Sequence, residues 1–189
     1  AEAEKLAEGK GNLEDLMGYL RATEEARRCT DEEEMIELIN RHGLEREHIT
    51  TQLLNSKGVW EALIKSLQMT AIIRNLGKMT NLGIVENGGW VEKAIVEKLT
   101  DKEQLKKARV HPFEVLLAMN TYSKGRGDKG HLSWNPNKQV LEALDKAYYL
   151  SFEAVEPTGK RYLLAIDVSG SMNVPCIGSS SINCRDAAA

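Results

Sequence analysis

Tyr162-Leu163-Leu164-Ala165-Ile166-Asp167-Val168-Ser169-Gly170-Ser171 sets five apolar residues directly before an acid and two hydroxyls. An unbroken apolar run of that length predicts a strand buried on both faces, as in a parallel sheet covered by helices. At the carboxyl end of such a strand a crevice opens where polar groups converge. Asp167, Ser169 and Ser171 are hard oxygen donors, suited to Mg²⁺ or a similar divalent cation, and Gly170 lets the chain turn between the serines. The plainer alternative is a polar turn in which a serine caps the next helix. The apolar run in front of the motif favours the cation. Only 22 residues follow Asp167, and one strand makes no sheet, so the module opening here is expected to be truncated.

Upstream the texture changes. Glu156-Pro157-Thr158-Gly159-Lys160 has turn chemistry and no periodicity, and reads as a linker. Everything before it reads as punctuated helices. Thr30-Asp31-Glu32-Glu33 forms a capping box ahead of Met35, Ile36, Leu38 and Ile39, with Gly43 past the end. Ser56 caps a helix carrying Val59, Trp60, Leu63, Ile64 and Leu67; Thr70 caps another with Ile72, Ile73, Leu76 and Met79, despite Gly77 inside it. Trp90 to Leu99 is amphipathic, and Thr100-Asp101-Lys102-Glu103 is a second capping box. Pro112 suits a first helical position. Ser123 to Asn135 is a long loop, and Asn135-Pro136 starts the last helix. This rhythm of short helices predicts a mainly α stacked array.

The 189 residues are 42% hydrophobic, enough for a packed core and too many for general disorder. No apolar run approaches the roughly 20 residues of a membrane span. No secretory signal is visible, so no membrane association and a cytoplasmic or nuclear setting are expected. Cys29, Cys176 and Cys184 fit neither a disulfide framework nor a zinc site. The net charge of −3 divides unevenly: 14 acids and 7 bases in residues 1–50 give −7, whereas 14 acids and 18 bases in 51–189 give +4. Most of that positive excess lies in 102–131, which holds seven Lys or Arg against three acids. One stretch, not the whole chain, can present a basic surface.

Three motifs together carry a resemblance. Arg161 to Met172 resembles the first strand and metal-ion-dependent adhesion motif of a von Willebrand factor type A domain. Arg74-Asn75-Leu76-Gly77-Lys78-Met79 and Lys106-Lys107-Ala108-Arg109-Val110-His111-Pro112-Phe113 resemble the TROVE module, and Glu156 to Arg161 is similar to the joint between the two in the Ro ribonucleoprotein family. The resemblance implies a TROVE portion over 1–154, a linker over 155–160, and the start of a type A domain over 161–189. It implies a HEAT-like helical repeat array, here a partial ring, followed by the first strand of a truncated α/β domain. It also implies binding of Y RNAs and misfolded non-coding RNAs in RNA quality control, without DNA and without catalysis. Ser169 and Ser171 are implied as direct metal ligands, with Asp167 ligating or holding a bound water. The family's remaining ligands fall beyond residue 189, so the site is expected to be incomplete and to hold Mg²⁺ poorly. Pro175 and the serines at 179–181 depart from the family's apolar helix after the motif.

The candidate RNA contacts are Arg74, Asn75, Lys78, Lys102, Lys106, Lys107, Arg109, His111, Lys124, Arg126, Lys129 and His131. Cations near phosphate release counterions, and donors on a loop adapt to single strands. Each lysine taken singly is more simply a solvated face; as a cluster the two readings balance. Trp134 is expected to pack under its loop rather than to stack a base. Arg126-Gly127-Asp128 spells an adhesion tripeptide, to which no weight is given. Gly159-Lys160 lacks phosphate-loop spacing, and no nucleophile, base and orienter combine, so no enzyme is expected. The competing function is a protein-interaction scaffold whose metal motif captures a partner's carboxylate, with another TROVE-bearing protein as a third possibility.

Overall fold

The computed structural model describes residues 13–127, 131–176 and 182–188. It is helical, as the sequence predicts: α1 (Leu13–Arg28), α2 (Glu32–His42), α3 (Lys57–Leu63), α4 (Met69–Asn81), α5 (Trp90–Thr100), α6 (Lys102–Lys107), α7 (Pro112–Ser123), α8 (Lys138–Ser151) and α9 (Cys184–Ala188). It divides into two compact units, Ala1–Leu67 and Gln68–Ala189.

In the first unit α2 packs on α1 and α3. Met35, Leu38 and Ile39 of α2 are buried, as are Val59, Trp60 and Leu63 of α3, so the predicted apolar faces point inward. The indole N–H of Trp60 donates to the Leu54 carbonyl at 2.9 Å, which pairs the polar handle of a buried ring. Gly43 closes α2 in the left-handed region at φ 63°, its N–H on the Ile39 carbonyl. Ser56 caps α3, accepting the Val59 N–H.

In the second unit α8 is central: α7, α5 and α6 all pack on it, and α4 packs on α7. Val140, Ala143, Leu144 and Ala147 of α8 meet a core that includes Ile95, Leu99, Leu105, Val115 and Tyr122. Pro112 is the first residue of α7.

Several starts fall elsewhere than the sequence predicts. Asp31 and Asp101, not Thr30 and Thr100, cap their helices, because each aspartate side chain accepts the N–H three residues on. Helix α4 begins at Met69 rather than after Thr70, since Gln68 is the extended residue whose carbonyl takes the Ile72 N–H. Helix α8 begins after Asn137, not at Asn135-Pro136.

The expected buried strand does not form. Every residue from Phe152 to Ser171 is exposed, with Leu163 97% and Leu164 79% accessible. Pairing among the described residues is confined to two isolated bridges, Arg126 with Ser133 and Pro175 with Asn183. A doubly buried strand needs neighbours on both edges and cover on both faces. None of the described residues supplies either.

Candidate nucleic-acid interface

The short helix α6 and the turn that follows it carry three predicted contacts, Lys106, Lys107 and Arg109. Asp101 anchors its start, accepting the Gln104 N–H at 3.0 Å and the Gln104 side chain at 2.8 Å. Those bonds hold its carboxyl below the usual range. Leu105 and Val110 are buried, which leaves Lys106, Lys107 and Arg109 on the outside. The helix ends with Arg109 N–H on the Lys106 carbonyl and Val110 N–H on the Leu105 carbonyl. That is the Schellman pattern, whose left-handed position favours glycine. Here Arg109 occupies it at φ 49°, alone among the described non-glycine residues. An L residue there costs about 1 kcal/mol.

Two residues on, His111 caps α7: its Nδ1 accepts the Phe113 N–H at 3.1 Å. The imidazole expected to meet phosphate is therefore also a helix cap, exposed to solvent. Glu114, in the first turn of α7, lies 3.7 Å from the Arg74 guanidinium, a pair that ties Arg74 on α4 to the start of α7. Asn75 spends its amide on the Ala71 carbonyl at 2.7 Å. Lys78 is half-buried one turn beyond Arg74. Lys102 is engaged elsewhere: its Nζ lies 2.8 Å from Glu153, which raises its pKa.

The loop after α7 carries Lys124, Arg126 and His131, all exposed; Lys129 lies outside the described residues. Its two described arms are tied together by backbone bonds. Trp134 N–H donates to the Gly125 carbonyl and Gly127 N–H to the Leu132 carbonyl. Gly125 sits at φ 68°, and a Cβ there would lie 2.6 Å from the Trp134 carbonyl oxygen. Trp134 packs under the loop as predicted. Its indole N–H donates to the Tyr122 carbonyl at 3.0 Å, its ring stacks on Tyr122 with centroids 6.0 Å apart, and its edge lies against Gly77. Asn81 ties the loop to the end of α4 through the Ser133 carbonyl at 2.7 Å.

Beneath this loop lies a buried polar network that the sequence reading missed. Asn137 caps α8 through its Oδ1 on the Val140 N–H, while its Nδ2 donates to Glu92 Oε2 and to Asn87 Oδ1. Its backbone N–H donates to the Tyr122 hydroxyl, which is 2.8 Å from the Thr80 hydroxyl. Burial raises the Tyr122 pKa, partly opposed by these bonds. Asparagine beside Asn135-Pro136 signals a cap. Nothing local signals a buried glutamate 45 residues away.

The metal motif keeps its oxygens together even without a strand. Asp167 Oδ1 accepts the Ser169 N–H at 2.8 Å, and the Ser169 and Ser171 hydroxyls are 2.7 Å apart. The bonds from Ser169 hold the Asp167 carboxyl below its usual range, hence ionised. An ionised carboxylate and two hydroxyls in one turn suit part of a hard-cation shell. All three residues are exposed. Among the described residues no cluster of three or more His, Cys, Asp or Glu could hold a metal.

The chain is similar to known proteins. Residues 39–121 match the TROVE domain model, a span that holds the α6–α7 turn and the Arg74 helix. The chain is 49% identical over 161 residues to the RNA-binding protein RO60 of Caenorhabditis elegans, covering 83% of this chain and 24% of that protein. It is 35% identical over 156 residues to the RNA-binding protein RO60 of Deinococcus radiodurans, covering 82% and 28%. The crystal structure of the Deinococcus radiodurans RO (RSR) protein superposes with a TM-score of 0.73 at 32% identity, over 86% of this chain and 32% of that one. The chain thus spans about a quarter of the curated relatives, and the resemblance to the Ro family is borne out.

Proposed function

We propose that this chain binds RNA in the manner of a Ro-type ribonucleoprotein, as part of a HEAT-like partial ring, and that its ligands are small non-coding RNAs of the Y class and misfolded non-coding RNAs. The observation that carries the reading is the α6–α7 turn inside the TROVE match. There Lys106, Lys107 and Arg109 are all exposed, and Arg74 on α4 is ion-paired to Glu114 in the first turn of α7. The start of α7 adds the positive end of its dipole. The loop after α7 supplies Lys124 and Arg126 as outlying contacts. No base readout is needed: such a surface positions the sugar–phosphate backbone electrostatically, and no catalytic step is assigned to it.

Salt tests this. With three to six phosphate contacts, log K for a single-stranded oligomer should fall against log salt with a slope of about −2 to −4. Binding unchanged between low and physiological salt contradicts the mechanism.

Asp167, Ser169 and Ser171 are proposed as three ligands of a Mg²⁺-type site, supported by their converging oxygens. The cation would supply an open coordination position for a carboxylate of a protein partner, the basis of the competing scaffold reading. Three exposed donors bind weakly, in about the millimolar range. Calorimetry should show that weak heat and its loss in Asp167→Asn; tight stoichiometric binding overturns the incomplete shell.

A further inference from the structure

Beside the basic turn, and separate from it, the second unit holds a cleft of about 620 Å³ between the end of α4, the Val85–Asn87 turn and the Ser133–Asn137 segment. That volume lies within the range of clefts that take small ligands. Its chemistry is unlike that of the turn. No Lys or Arg lines it, and its one charged residue is the acid Glu86, so an anion is not its ligand. Amides dominate instead. Asn81 gives its Nδ2 to the Ser133 carbonyl, leaving Oδ1 as an acceptor. Asn87 accepts from Asn137 through Oδ1, leaving its own NH₂ as a donor. Asn135, exposed at the rim, makes no hydrogen bond among the described residues and offers both.

We propose that this cleft receives one unpaired nucleobase of the bound RNA. Neutral donors and acceptors side by side match the edge of a base, which asparagine amides recognise by paired hydrogen bonds. The walls are fixed in advance. Trp134 is locked by the Tyr122 carbonyl and by Gly77, and the floor is held by the Asn137 network. The cleft also has a phosphate handle outside it: the isolated bridge sets Arg126 directly opposite Ser133, a lining residue. A splayed base in the cleft therefore leaves its backbone at the basic loop, the usual arrangement for single-stranded RNA. The inference rests on the RNA reading above and adds a site of base contact to it.

The test is separable from that reading. The full chain, labelled with ¹⁵N, is titrated with adenosine, guanosine, cytidine and uridine, then with ribose 5-phosphate and with a short neutral peptide. Nucleosides should shift the Trp134 indole and Asn135 side-chain signals, and ribose 5-phosphate and the peptide should not. Asn135→Ala, at an exposed position, should weaken the nucleoside response about three- to tenfold, the worth of one hydrogen bond. No response to any nucleoside, or equal shifts from the sugar phosphate or the peptide, overturns the site. Salt-dependent RNA binding with a silent cleft would sink this site and leave the proposed function standing; a responsive cleft in a chain that ignores RNA would sink the proposed function and, with it, the assignment of the base to bound RNA.

Discussion

Replacing Asn137 by aspartate should be far more damaging than its size suggests. The new side chain keeps the cap on Val140, because Asn and Asp cap helices equally well. What changes is the second atom, which in the wild type donates to Glu92 and Asn87. In the variant it is an oxygen facing a carboxylate that is only 5% exposed. Two carboxylates so close cannot both ionise in a buried site, so one retains a proton. Holding a carboxyl of unfolded pKa about 4 protonated at pH 7 costs about 4 kcal/mol at about 1.36 kcal/mol per unit. The hydrogen bond regained by the shared proton offsets about 1 kcal/mol. The expected loss is about 3 kcal/mol at pH 7. Its sign with pH follows: the variant's folded pKa is raised above the unfolded value, so its deficit grows as pH rises and shrinks as pH falls towards 4. Adding Glu92→Gln should recover most of the stability, since the Gln amide can donate to the introduced carboxylate. Urea unfolding followed by circular dichroism at pH 5 and pH 7 reads all of this. A deficit below about 0.5 kcal/mol, one independent of pH, or no rescue by Glu92→Gln would refute the network as described.

Other expectations follow from particular contacts. Gly77→Ala puts a Cβ 2.6 Å from the Trp134 ring and should destabilise the chain by about 1–2 kcal/mol. In a Trp134→Ala background the same change should stabilise by up to about 1 kcal/mol, the helix preference for Ala; a thermal-unfolding cycle showing no change of sign removes the close packing. Arg109→Gly should stabilise by about 1 kcal/mol by relieving the left-handed backbone while weakening RNA binding, and a gain in both would disconnect the residue from RNA. Because burial raises the Tyr122 pKa, that tyrosine should contribute stability in full below pH 10. The contribution should disappear as pH rises through the higher folded value. Absorbance at 295 nm should show late ionisation of one of the five tyrosines, abolished in Tyr122→Phe.

The helices were legible because their signals are local. Apolar spacing marked the inward faces of α2, α3 and α4, and Gly43, Ser56 and Pro112 marked ends correctly. Caps slipped by a residue where threonine and aspartate stood side by side, since either can accept the N–H and only the backbone decides. Trp134 was placed correctly because a lone aromatic in a polar loop gains most by packing beneath it. The apolar run at 162–166 misled for the opposite reason. Hydrophobicity shows what a strand needs, and none of the described residues pairs with this run or covers it. Glu92, Tyr122 and Asn137 were illegible because each looks like an ordinary surface, core or cap residue until three distant segments converge. At the basic turn, charge clustering named Lys106, Lys107 and Arg109, but not that Arg74 is ion-paired to Glu114 in the first turn of α7.

The most direct measurement is the salt dependence of RNA binding by the charge-reversed chain Lys106→Glu, Lys107→Glu, Arg109→Glu beside the unaltered one. Without those three cations at the phosphates, the slope of log K against log salt should flatten by about 2, and binding should weaken most at low salt. An unchanged slope and affinity, in a variant that melts like the parent, would show that RNA is held somewhere other than the α6–α7 turn.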